Sequence, residues 1–283
     1  MHVRVLGPLA IEYNGVSIVP TANKPRQILA LLALRPQHTV SVGALIEEVW
    51  GDAVPRSAAT TLQTYILQLR RRIAKALDGG GGDTGRNGGG GTGRGGRLSP
   101  KEVLATSYGG YRLVPPLAGH DLTEFQDLSA RGVKALEAGD ARAASHLLGT
   151  ALLLWRGPAL ADVPHGPALE LEAIGMEEAR LTVLEQRIEA DLCLGRHRSL
   201  LPELRMLSAR HPLNENLCAQ LMTALYRAGS PWRALEEFRR LRVRLDTELG
   251  VEPTPGLQRL HLAVLNGDPG LEATAQGPVR YAS

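Results

Sequence analysis

The 283-residue sequence predicts a mainly α-helical protein with a small β component, divided into two domains. Three observations carry that expectation. Short strand-like runs with turn glycines occur only at the N-terminus and around residues 103–114. Apolar residues at steps of three and four organise almost everything else. A glycine-rich run at 79–96 and the Pro115-Pro116 pair interrupt the first part of the chain. The length also exceeds the ~100–200 residues of a typical single domain, so each half can bury its own core.

The chain opens with three strand-like runs, His2–Leu6, Leu9–Tyr13 and Val16–Val19. Asn14-Gly15 tolerates the positive φ angles of a tight hairpin between the last two. The first helix, Gln27–Leu34, follows Lys24-Pro25-Arg26, with proline where a first helical turn accepts it, and Arg35-Pro36 ends it. Val42, Leu45, Ile46 and Val49 give a second helix, closed by Trp50-Gly51. A third begins near Ser57. Its buried stripe is Ala58, Leu62, Ile66, Leu69, Ile73 and Leu77, while Thr60, Thr64, Gln68, Arg71 and Lys75 occupy the opposite face.

Residues 79–96 are nearly all glycine and polar residues and read as a flexible insertion. No Gly-Lys-Ser/Thr follows, so this is not a phosphate-binding loop, and Arg86, Arg94 and Arg97 are read as solvated. A second hairpin follows, Val103–Thr106 and Tyr111–Val114, turning at Ser107-Tyr108-Gly109-Gly110. Sheet, helix-turn-helix and glycine-tipped hairpin together describe a winged helix-turn-helix domain over residues 1–115.

Residues 121–268 are helical in pattern, and residues 269–283 form a tail. Gly139, Gly195 and Gly229 each separate two helices in a similar setting, and the last two stand 34 residues apart, the tetratricopeptide period. An all-α, tetratricopeptide-like helical-repeat domain is therefore expected.

Charge and composition narrow the function. Net charge is +3 overall, but +7 over residues 1–115 and −4 over 116–283, which suits a nucleic-acid reader joined to a protein-contacting module. No apolar run approaches the ~18–20 residues of a membrane span, and the first residues lack a secretory signal, so a cytoplasmic, nucleoid-associated protein with no membrane partner is expected. Cys193 and Cys218 read as small buried residues, and the scattered histidines have no metal-like spacing. No paired nucleophile and base, metal cluster or phosphate cradle is present, so neither an enzyme nor a cofactor is expected.

The third helix carries the sharpest chemistry. Thr60-Thr61-Leu62-Gln63-Thr64-Tyr65 places hydrogen-bonding side chains at its start and Arg70-Arg71-Arg72 toward its end. Thr and Gln can read base edges in a major groove, and Arg can read guanine or hold phosphate.

Three segments resemble the Streptomyces antibiotic regulatory proteins. They are Leu45-Ile46-Glu47-Glu48-Val49-Trp50-Gly51, the run Thr61–Arg71, and Gly109-Gly110-Tyr111-Arg112-Leu113. That family's first domain is similar to the DNA-binding half of OmpR-type response regulators. Asp121–Phe125, Ala151–Gly157 and Glu248–Pro253 resemble its bacterial transcriptional activation domain, so the likeness covers residues 1–268.

The resemblance implies a pathway-specific activator of antibiotic or other secondary-metabolite biosynthesis genes. Such a protein binds direct repeats of promoter DNA as a head-to-tail dimer and recruits RNA polymerase holoenzyme, including its sigma factor. Carried over by position, Thr60, Thr61, Gln63, Thr64 and Gln68 face bases. Trp50, Tyr65, Arg70 and Arg71 lie near phosphates, and Ser107 and Tyr108 on the wing reach toward the minor groove. The insertion departs from the family pattern and loosens the wing's expected position. The chain resembles the small members without an ATPase module, so no nucleotide dependence is expected.

Two remaining features have plain readings. Trp155 reads as core packing, and Arg233, Arg239, Arg240, Arg242 and Arg244, set among Glu236, Glu237, Asp246 and Glu248, read as a salt-bridged solvated face. The alternative function is a helical-repeat protein-binding adaptor with only weak, non-specific DNA affinity, which predicts little sequence discrimination.

Overall fold

A computed structural model describes residues 1–79, 98–114 and 118–271. The insertion beyond Gly79, the Pro115-Pro116 pair and the tail beyond Leu271 lie outside the described residues. The chain divides into two compact units that do not follow chain order. One comprises Met1–Phe125 with Leu153–Ala179, the other Gln126–Leu152 with the residues from Arg180 onward.

The first unit opens with β1 (His2–Arg4), β2 (Ala10–Tyr13) and β3 (Val16–Ser17). Asn14 and Gly15 adopt φ of 49° and 77°, the doubly positive turn that Asn-Gly favours, and Tyr13 pairs with Val16 across it. Three helices follow: α1 (Asn23–Leu34), α2 (Val42–Trp50) and α3 (Ala58–Gly79). Ser41 caps α2 through Ala44 N, and Gly51 closes it with φ of 51°. The stripe of α3 is buried as expected at Ala58, Leu62, Ile66, Leu69 and Ile73. Its last member is Ala76, with Leu77 only half-buried. With Leu6, Ile11, Ile18, Ile28, Leu32 and Leu45 the stripe forms the unit's core.

Three elements escaped the sequence pattern. β4 (Val40–Ser41) joins the wing hairpin of β5 (Leu104–Ser107) and β6 (Gly110–Leu113) in a sheet of order β4-β6-β5. A four-residue helix, α4 (Pro100–Val103), precedes the wing and takes up Val103, where the hairpin was expected to begin; Ser99 and Glu102 cap it reciprocally. β7 (Gly119–His120) pairs parallel to β1 at the edge of a β3-β2-β1-β7 sheet. The expected strand His2–Leu6 stops at Arg4 because Val5 N and Leu6 N turn to the Asp121 carboxylate at 2.9–3.0 Å.

That carboxylate is one of three that pin the N-terminal residues to later segments of the same unit. Asp162 accepts from Leu9 N at 2.6 Å and meets Arg26 Nη1 at 3.2 Å. Glu48 of α2, 2% exposed, accepts from Gly166 N at 2.6 Å and from Ala168 N and Leu169 N at 2.9 and 3.1 Å. It thereby satisfies the first amides of α7 (Pro167–Cys193), which have no partner within their own helix. Trp155 is buried as expected, edge-on to Phe125 with ring centres 5.6 Å apart.

The second unit is helical throughout its described residues. It holds most of α5 (Asp121–Glu137) and α6 (Ala141–Leu153), the C-terminal part of α7, then α8 (His197–Arg210), α9 (Glu215–Arg227), α10 (Pro231–Leu249) and α11 (Pro255–Leu265). Gly139, Gly195 and Gly229 end α5, α7 and α9 with φ of 81°, 74° and 78°. After each, the next amide reaches five residues back: Asp140 N to Ala135 O, Arg196 N to Asp191 O and Ser230 N to Leu225 O, at 2.9–3.0 Å. The repeat expected from the glycines is thus one turn used three times. Helix α9 forms the middle of this unit, buried without a break from Leu217 to Leu225, with α8 and α10 packed against it.

Candidate nucleic-acid interface

Helix α3 divides cleanly into two faces because its apolar residues recur at the helical period. Thr60, Gln63, Thr64, Gln68, Arg71 and Lys75 are exposed, and Thr61 and Tyr65 flank them half-buried. Seven of the expected contact residues therefore share one outward face and its border. Thr64 is already partly engaged, since its hydroxyl donates to Thr60 O at 3.1 Å. What it presents outward is a hydroxyl lone pair and a methyl group rather than a donor.

The two aromatic candidates form a cluster. Trp50, at the end of α2, stacks on Tyr65 with ring centres 6.2 Å apart and planes 19° from parallel. The Lys24 ammonium sits 5.0 Å from the centre of the Trp50 ring. Lys24, which the sequence reading used only to mark a helix start, thus sets a positive charge beside α3.

The wing is fixed to the same helix by a third candidate. Arg70 donates from Nε and Nη2 to Leu104 O at 3.1 and 2.9 Å, and from Nη2 to Thr106 Oγ1 at 2.8 Å. Most of its fork is used inside the protein, which assigns it a positioning role. Ser107 pairs with Gly110 at the wing tip, Tyr108 stands fully in solvent, and Val42 N donates to Gly109 O at 2.9 Å, tying the tip to the start of α2. Gly110 is required by close approach: a Cβ there would lie 2.1 Å from Val40 O.

Two exposed residues on these elements were missed. Leu67 is 49% exposed midway along the polar face of α3, and Arg112 points outward from β6. An apolar residue off the buried stripe was the available signal for Leu67. Arg72, by contrast, leans toward the protein, with Nη1 3.3 Å from Val19 O. Among the described residues no group of His, Cys, Asp and Glu is arranged to hold a metal ion, and no helix is long and apolar enough to cross a membrane.

Comparison with known proteins fits this geometry. The model of the transcriptional regulatory protein C-terminal domain matches residues 17–80, spanning α1 to α3, and that of the bacterial transcriptional activator domain matches residues 120–265. Regulatory protein DnrI of Streptomyces peucetius is 48% identical over 96% of this chain and 94% of its own length. The chain belongs to the Streptomyces antibiotic regulatory protein family. Regulatory protein AfsR of Streptomyces coelicolor is 38% identical over 94% of this chain, which spans only 24% of that longer protein. The solved structure of Mycobacterium tuberculosis EmbR in complex with a low affinity phosphopeptide superposes with a TM-score of 0.82 at 31% identity, over 97% of this chain and 68% of that one.

The resemblance read from the sequence is correct, as is the expected fold class of small N-terminal sheets followed by a helical repeat. As a family member the chain is a DNA-binding transcriptional regulator, in a family of regulators rather than enzymes. The activator-domain model starts at residue 120, whereas the first compact unit also takes in residues 153–179. Family model and physical packing therefore divide this chain differently.

Proposed function

We propose that this chain is a cytoplasmic, pathway-specific activator. It binds direct repeats in promoter DNA as a head-to-tail dimer and recruits RNA polymerase holoenzyme, including its sigma factor, to antibiotic or other secondary-metabolite biosynthesis genes. The observation that supports it best is the polar outward face of α3 with the wing held against that helix by Arg70. In this reading Thr60, Thr61, Gln63, Thr64 and Gln68 enter the major groove and face base edges, with Leu67 placed to meet a thymine methyl. Trp50, Tyr65 and Arg71, joined by Lys24, lie along the phosphates, and Arg70 acts by holding the wing. Ser107 and Tyr108 reach the neighbouring minor groove.

Head-to-tail protomers read half-sites in the same orientation, spaced by about one helical turn, ~10–11 bp. Selection of randomised duplex DNA by the purified chain, followed by footprinting across a salt series, tests this reading. Enriched direct repeats at one-turn spacing are expected. A palindromic site, or uniform weak binding without enrichment, would overturn it.

A further inference from the structure

Helices α8 and α10 both pack on α9 and leave between them a groove with a volume of about 890 Å³. Its floor is apolar, made by Cys218, Leu221 and Leu225 of α9 and Leu241 of α10. Trp232 stands on its wall 65% exposed, with the Arg233 guanidinium carbon 5.1 Å from the ring centre. A large aromatic left in water beside an apolar depression is unusual on a soluble helical surface.

The charge around the groove is one-sided. Five arginines and two glutamates line it. The glutamates are occupied by neighbours on α10: Glu236 lies 3.9 Å from Arg239 and 3.4 Å from Arg240, and Glu237 lies 3.2 Å from Arg240. The salt-bridged face expected here thus holds for Arg239 and Arg240, and for Arg242, which pairs with Glu252 at 2.8 Å outside the groove lining. It does not hold for Arg233 and Arg244, nor for Arg205 across the groove on α8. Among the described residues none of these three has a carboxylate partner. Residues 116–283 carry a net −4, so this surplus is local and opposite to its surroundings.

We propose that the groove between α8 and α10 docks an acidic, apolar-anchored peptide segment of a partner protein. Trp232 and the floor take the apolar side chain, and Arg205, Arg233 and Arg244 take the flanking carboxylates. Guanidinium forks match carboxylates in pairs, and an aromatic wall beside a desolvated floor is the usual anchor of a peptide site. Duplex DNA suits the groove less well, because a phosphodiester backbone has no side chain to fill an apolar floor. The inference rests on this groove alone and stands apart from the reading of α3.

Selection of a random peptide library against the full chain tests it. Enriched peptides are expected to combine Asp or Glu with Leu, Phe or Trp. Followed by fluorescence anisotropy, such a peptide should lose roughly tenfold or more in affinity to the Arg205→Glu/Arg244→Glu double variant and to Trp232→Ala. The thermal midpoint and the affinity for duplex DNA should stay at the parent values in both. Enrichment of basic or uncharged peptides, equal binding by the variants, or displacement of the peptide by duplex DNA would each overturn the proposal.

Discussion

At the scale of single residues, the hydrogen bonds of a side chain decide what it has left to offer. Thr64 donates to its own helix at Thr60 O, so its outward chemistry is acceptor and methyl, whereas exposed Gln63 keeps donor and acceptor together. Replacing Gln63 with Ala, or Thr64 with Val, should relax preference at one base pair each, by about 1–3 kcal/mol in a binding-site titration. A loss spread evenly over all sequences would remove them as base readers. Arg71 is exposed on the same face, and Arg71→Ala should weaken binding to every sequence while lowering the salt slope by about one. An unchanged slope would take it off the DNA. The polar face of α3 was legible from sequence because exposure follows helical period. The use of Arg70 on Leu104 O and Thr106 was not, since that partner strand lies on the far side of the insertion.

At the scale of elements, two contacts hold the wing and α2 in place. The wing comes so close to β4 that Gly110 admits no side chain, and Gly110→Ala should shift the sheet and lower stability by about 1–3 kcal/mol in a urea titration. Wild-type stability with wild-type DNA affinity would show that the wing tolerates the shift. The second contact joins α2 to the first turn of α7 through Glu48. Glu48→Ala leaves the amides of Gly166, Ala168 and Leu169 without their acceptor and should cost about 2–3 kcal/mol. Hydrogen exchange that stays slow at those three amides in the variant would contradict that role. The glycine-ended turns of α5, α7 and α9 needed no such distant partner, and the sequence showed them directly.

At the scale of the whole molecule, the first compact unit is discontinuous in sequence. Val5 N, Leu6 N and Leu9 N find their acceptors on Asp121 and Asp162, and His120 places Nε2 3.0 Å from Ala33 O. A fragment ending at residue 115 lacks all of these, and it should melt well below the full chain or without a cooperative transition. Circular dichroism melting checks this, and a fragment as stable as the full chain would show that residues 119–125 and 153–179 contribute little. The sequence by itself determined the longer helices, the Asn-Gly hairpin, the repeated helix turns and the outward chemistry of α3. Each of those depends on residues within one or two turns of one another. Only the tertiary structure decided which later carboxylates satisfy the N-terminal amides, that Glu48 is buried, and that Arg205 faces Arg244 across a groove. Those pairings join groups far apart in the chain, and the need of a buried amide for an acceptor does not reveal in sequence which acceptor will meet it.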